Sequence, residues 1–92
     1  VKVTNKKAGE AGVITVDGVF IAVGIVPVSA LIAGTVETDE AGYIKAGEDG
    51  VTSVPGVFAA GDVRTKQLRQ IITAAADGAN CVTSVEKYLI NH

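Results

Sequence analysis

Residues 1–24 alternate short apolar runs with turn signals. Val1 to Asn5 alternates apolar and polar side chains, the period of a half-buried strand. Lys6 to Gly12 places two glycines among polar residues and reads as a turn. Val13 to Val16 resumes strand character, and Asp17-Gly18 is a second turn signal. Val19-Phe20-Ile21-Ala22-Val23, closed by Gly24, is apolar throughout, the pattern of a strand covered on both faces. This first stretch is therefore predicted to form a β-meander, a hairpin followed by a central strand.

Pro27 interrupts the pattern. Ser29 to Ala33 fits one helical turn ended by Gly34. Val36 to Glu40 and Tyr43 to Ala46 flank the turn Ala41-Gly42, a second hairpin. In Pro55-Gly56, Pro presets φ at the first central turn position and Gly accepts positive φ at the next. Val57 to Ala60 is a second fully apolar strand, ending in Gly61-Asp62. From Lys66 or Gln67 to about Ile90 the spacing predicts one long helix. Leu68, Ile72, Ala75, Ala79, Val82, Glu86 and Leu89 approximate one face, and Ile71, Ala74, Gly78, Cys81, Val85 and Tyr88 line the adjacent one. A stripe this wide predicts a helix buried on more than one side, and Gly78 within it predicts a close packing contact.

Composition narrows the function classes. With 48% hydrophobic residues the chain has material for a core, which argues against disorder. A net charge of -2 without a basic patch argues against nucleic acid. No apolar run approaches the ~20 residues that a membrane-spanning helix needs. One Cys and one His supply no zinc site, and the lone Cys fits a reducing, cytoplasmic compartment. Cys81, mid-helix among small apolar residues, reads as a buried structural thiol. The chain opens mid-strand at Val1 and contains no Met, so it is expected to be a piece of a longer protein.

The candidate chemistry gathers at the end of the second apolar strand. Ligands of open α/β sheets bind beyond the C-terminal ends of strands. Ala59, Ala60 and Gly61 let a ligand approach the backbone, Asp62 offers a carboxylate to hydroxyl donors, and a helix N-terminus follows with free N–H groups. No catalytic acid, base or nucleophile stands out.

Taken in order and spacing, four blocks resemble the C-terminal signature of the thioredoxin reductase family, flavoproteins with two dinucleotide-binding domains. They are Val16 to Gly24 with Pro27, Glu40 to Ile44, Val54 to Asp62, and Arg69-Gln70-Ile71-Ile72-Thr73-Ala74-Ala75. The resemblance implies an α/β fragment, with residues 1–24 ending an NADPH-binding domain and crossing over, and residues 25–92 forming the C-terminal part of an FAD-binding domain. It implies that Gly61 and Asp62 meet the ribityl chain of FAD, that Gln70 and Ile71 offer backbone groups to the flavin's pyrimidine edge, and that Arg69 lies near flavin or NADPH. Val28 departs from the pattern, standing where the family often carries Asn.

The intact enzyme would pass electrons from NADPH through FAD and a Cys-x-x-Cys to a thioredoxin-like protein, as a homodimer. This chain holds no Gly-x-Gly-x-x-Gly and no second Cys, so alone it is expected to bind neither cofactor, to be inactive, and to associate through uncovered strands. The same blocks occur in the flavoprotein of alkyl hydroperoxide reductase and in ferredoxin–NADP reductases of this type. A noncatalytic assembly module is the alternative of a different class.

Overall fold

The initial hairpin forms, but its turn closes earlier than the alternation predicts. The computed structural model describes residues 1–92. Strand β1 (Lys2–Thr4) pairs antiparallel with β2 (Ala11–Val13), Lys2 opposite Val13 and Thr4 opposite Ala11. Asn5 sets this register. Its side-chain carbonyl accepts the N–H groups of Lys7 (3.0 Å) and Ala8 (3.3 Å), folding the chain back at once. The pairing strand is therefore 11–13, not 13–16.

The expected central strand at Val19 to Val23 is absent. Those residues are unpaired, with Phe20, Ile21 and Val23 almost wholly exposed. A strand apolar on both faces forms only where neighbours supply hydrogen bonds and cover, and nothing in this chain reaches it. The strand expected at Val57 to Ala60 contracts for the same reason to a single antiparallel bridge between Val51 and Phe58.

The packed part of the chain lies between Ser29 and the final helix. Ser29 starts a single turn, its carbonyl accepting from the N–H groups of Ile32 and Ala33, and its hydroxyl donates to Gly42 O at 2.7 Å. The second hairpin closes at Asp39, which accepts the N–H of Tyr43 on its carboxylate and donates its own N–H to Tyr43 O. Ile44 then docks on the segment after the second apolar run: its N–H donates to Val63 O (2.9 Å) and its carbonyl accepts from Thr65 N (2.8 Å). Val36, Ile44, Ala46 and Ala59 form the small core, flanked by Ile32, Val54 and Val63. The Pro55-Gly56 turn is present, closed by Val57 N to Val54 O at 3.1 Å.

Helix α1 (Ile71–Asn91) lies across this core. It starts several residues later than periodicity predicts because Arg64 to Arg69 is held by other partners: Thr65 pairs with Ile44, and Arg64, Lys66 and Arg69 direct their side chains inward. Gln70 is the extended N-cap, its N–H donating to Thr73 Oγ1 at 3.0 Å. Ala74, Asp77, Cys81, Ser84 and Tyr88 form the covered face, with Ser84 Oγ donating to Asp49 O and Tyr88 edge-on to Phe58. The face with Ile72, Val82 and Leu89 is exposed, so the helix is covered on one side only. Cys81 is half-buried rather than buried, and a Cβ at Gly78 would meet open space, not a packed neighbour.

The exposed arm and helix face give an extended shape. The radius of gyration is 19.6 Å, against about 12 Å for a compact domain of this length. The accessible surface is 7287 Å², where a folded monomer of this mass exposes about 5,000 Å². No helix is long and apolar enough to cross a membrane.

Candidate functional site

The site is built on the turn after Ala59. Gly61 has φ 86°, a left-handed conformation that a side chain disfavours. This turns its N–H inward, toward α1, where it donates to Asp77 Oδ2 at 2.9 Å. A Cβ at Gly61 would lie 3.6 Å from Ala74 Cβ, so the turn rests on the first turns of the helix.

Asp77 is the hub beneath. Arg64 grips it with two bonds, Nε to Oδ2 (2.8 Å) and Nη2 to Oδ1 (2.7 Å), and Lys66 Nζ adds a third at 2.7 Å. The Arg64, Lys66 and Asp77 side chains are each under one-tenth exposed. Hydrogen bonds from Arg64 and then Lys66 hold the Asp77 carboxyl well below the usual carboxylate range, and Asp77 in turn pushes Arg64 further up. Arg64 also donates to Ala46 O and Thr65 O. The turn, the hairpin and the helix are thus tied at one point.

Arg69 secures the other side of the turn. Its Nε donates to Asp62 O at 3.0 Å, its Nη2 donates to Arg64 O at 3.1 Å, and its guanidinium lies 3.8 Å from the centre of the Tyr43 ring. The Asp62 carboxylate, in contrast, is exposed and makes no hydrogen bond within the chain. It borders a cleft of about 340 Å³ shared with Val26, Pro27, Tyr43 and Arg69. Gln70 and Ile71 follow directly, with Ile71 93% exposed, and the first N–H groups of α1 have no partner inside the helix.

Of the residues singled out in the sequence, Gly61, Asp62 and Arg69 come into direct contact, and Gln70 and Ile71 stand beside them at the helix start. Arg64, Lys66 and Asp77 were not singled out. The available signal was an Asp directly after the alanine run 74–76 of the helix, with two cations shortly upstream. The residues fit a flavin nucleotide: a free carboxylate suits a polyol, unpaired N–H groups suit carbonyl and ring-nitrogen acceptors, and the exposed Ala60 leaves the backbone open, while Gly61 packs inward on Ala74. Nothing in the chain provides a glycine-rich cradle for a pyrophosphate.

The fold is that of one part of a two-domain nucleotide-binding flavoprotein. The crystal structure of Lactococcus lactis thioredoxin reductase matches with a TM-score of 0.81 at 40% identity, covering 99% of this chain and 30% of that one. Thioredoxin reductase from Streptococcus pyogenes matches at 0.80 and 42% identity over the same shares. Residues 1–78 match the pyridine nucleotide-disulphide oxidoreductase family, and the chain belongs to it. Among curated relatives, thioredoxin reductase of Peptoclostridium litorale is 51% identical over 78% of this chain and thioredoxin reductase 1 of Saccharomyces cerevisiae is 46% identical over 96%. The chain spans only 23% and 28% of their lengths.

Proposed function

We propose that this chain is the C-terminal part of an NADPH-dependent flavoprotein disulfide reductase of the thioredoxin reductase type, and that it supplies the flavin-facing wall of the FAD site. The observation that carries this reading is the exposed, unpartnered Asp62 carboxylate on a turn that packs against the first turns of α1, with Arg69 bonded to the Asp62 carbonyl. In this reading Asp62 accepts a hydrogen bond from a ribityl hydroxyl, Gly61 makes the turn that presents it, and the free N–H of Ile71 meets the pyrimidine edge beside Gln70, whose own N–H is taken by Thr73 Oγ1. The positive end of the α1 dipole favours electron density at that edge. Arg69 serves chiefly as the clamp that sets Asp62 against the helix, with its outer face toward flavin or NADPH.

FAD, when bound, supplies the two-electron chemistry, and the protein supplies position and field. NADPH is the proposed electron source and a thioredoxin-like protein the proposed acceptor, in a cytoplasmic homodimer. Residues 1–24 would close an NADPH-binding domain and residues 25–92 an FAD-binding domain. The names of the relatives and the family match support the reductase class and its thioredoxin-like acceptor. The isolated chain is proposed to be inactive, since it holds neither a dinucleotide fingerprint nor a pair of cysteines.

The test is Asp62→Ala in the full-length protein. A hydrogen bond to a charged group is worth about 1.5–3 kcal/mol, so FAD affinity should fall roughly ten- to a hundredfold. Fluorescence titration of the apoprotein measures it. Unchanged affinity would remove Asp62 from the site and with it this reading.

A further inference from the structure

The turn that carries Asp62 is fixed from both sides. Asp77 accepts the N–H of Gly61 on one side, and Arg69 donates to the carbonyl of Asp62 on the other. The two anchors are themselves joined, because Arg64 binds Asp77 through its guanidinium and accepts from Arg69 on its carbonyl. The bonds form a closed ring running Asp77, Arg64, Arg69, Asp62, Gly61 and back to Asp77, and only the Asp62 side chain projects out of it.

We infer that Asp77 is a positioning residue for the flavin: its carboxylate aims the Asp62 carboxylate and the start of α1 at the same ligand by holding the Gly61 N–H. The inference rests on the flavin reading above. Folding stability alone does not account for the arrangement. Two cations and one carboxylate buried together leave an excess positive charge, and apolar side chains of similar volume stabilise a core as well or better. What they cannot provide is an acceptor for an inward-turned N–H at the turn next to Asp62.

A pair of full-length variants isolates that bond. Arg64→Met/Lys66→Met/Asp77→Asn removes the charges and keeps an acceptor for Gly61, and Arg64→Met/Lys66→Met/Asp77→Leu removes the acceptor too. The Leu variant should bind FAD about tenfold more weakly than the Asn variant, the loss expected for one hydrogen bond with its partner left unsatisfied. The visible absorption bands of its bound flavin should also lose resolved structure, which a merely destabilised protein with an intact site would not show. Equal affinities and spectra in the two variants, or loss of folded protein from both, would overturn the inference by placing Asp77 in folding alone. Asp62→Ala separates the two readings: if it leaves FAD affinity unchanged the flavin assignment fails, and if it weakens binding while the pair agree, only the role of Asp77 fails.

Discussion

Asp62 is exposed with no partner inside the chain, whereas Asp77 is buried under two cations and a backbone N–H. The first is free to accept a ligand's hydroxyl and the second is already saturated. The pH dependence of Asp77 follows from its lowered pKa. The carboxyl titrates near 3.8 when unfolded and well below that when folded. Its contribution to stability is therefore complete above about pH 5 and declines as pH falls through 4. Thermal melts of the full-length protein and its Asp77→Asn variant should differ by a constant amount above pH 5, with the gap closing on acidification. A gap that widens with acid would contradict the ion cluster. The turn at Gly61-Asp62 was legible in the sequence because an apolar run ends there in a Gly-Asp pair. Asp77 was not, because its cations lie on the segment just before α1 and only the fold turns them back onto the helix.

Among the elements, the contact between the loop at Gly50 and α1 is the tightest. Gly50 has φ 72°, and a Cβ there would overlap Cys81 Sγ and stand 2.9 Å from Ala59 O. Gly50→Ala should destabilise the full-length protein by about 3 kcal/mol, from overpacking and left-handed strain together. Cys81→Ala should restore only part of this, since the carbonyl and the backbone conformation remain. Chemical denaturation of the single and double variants checks it, and full restoration would locate the whole effect at the thiol. Turns and the long helix were readable in advance, since the glycines of 6–12, Ala41-Gly42, Pro55-Gly56 and the helical period act locally. The strands at 13–16, 19–23 and 57–60 were not, because apolar runs state a need for cover without showing whether the chain provides it.

For the whole molecule, the exposed arm from Val19 to Val28 and the outer face of α1 are the dominant feature. They leave about 2,300 Å² more surface than a compact monomer exposes, more than one partner's share of a standard protein interface. The isolated chain should therefore associate: at micromolar concentration, sedimentation should give a mass well above 9.3 kDa, and a stable monomer would show that the apolar arm finds cover within the chain. The likeness to solved thioredoxin reductases extends over 99% of the chain, arm included, so this path belongs to a larger fold rather than to a self-contained one.

In the proposed site one turn and one helix start face the same flavin. A crystal structure of the full-length protein with FAD bound tests it most directly. The expected result is a ribityl hydroxyl about 3 Å from the Asp62 carboxylate, with the pyrimidine edge at the same spacing from the first N–H groups of α1. A flavin bound elsewhere, with Asp62 facing solvent or protein alone, would contradict it.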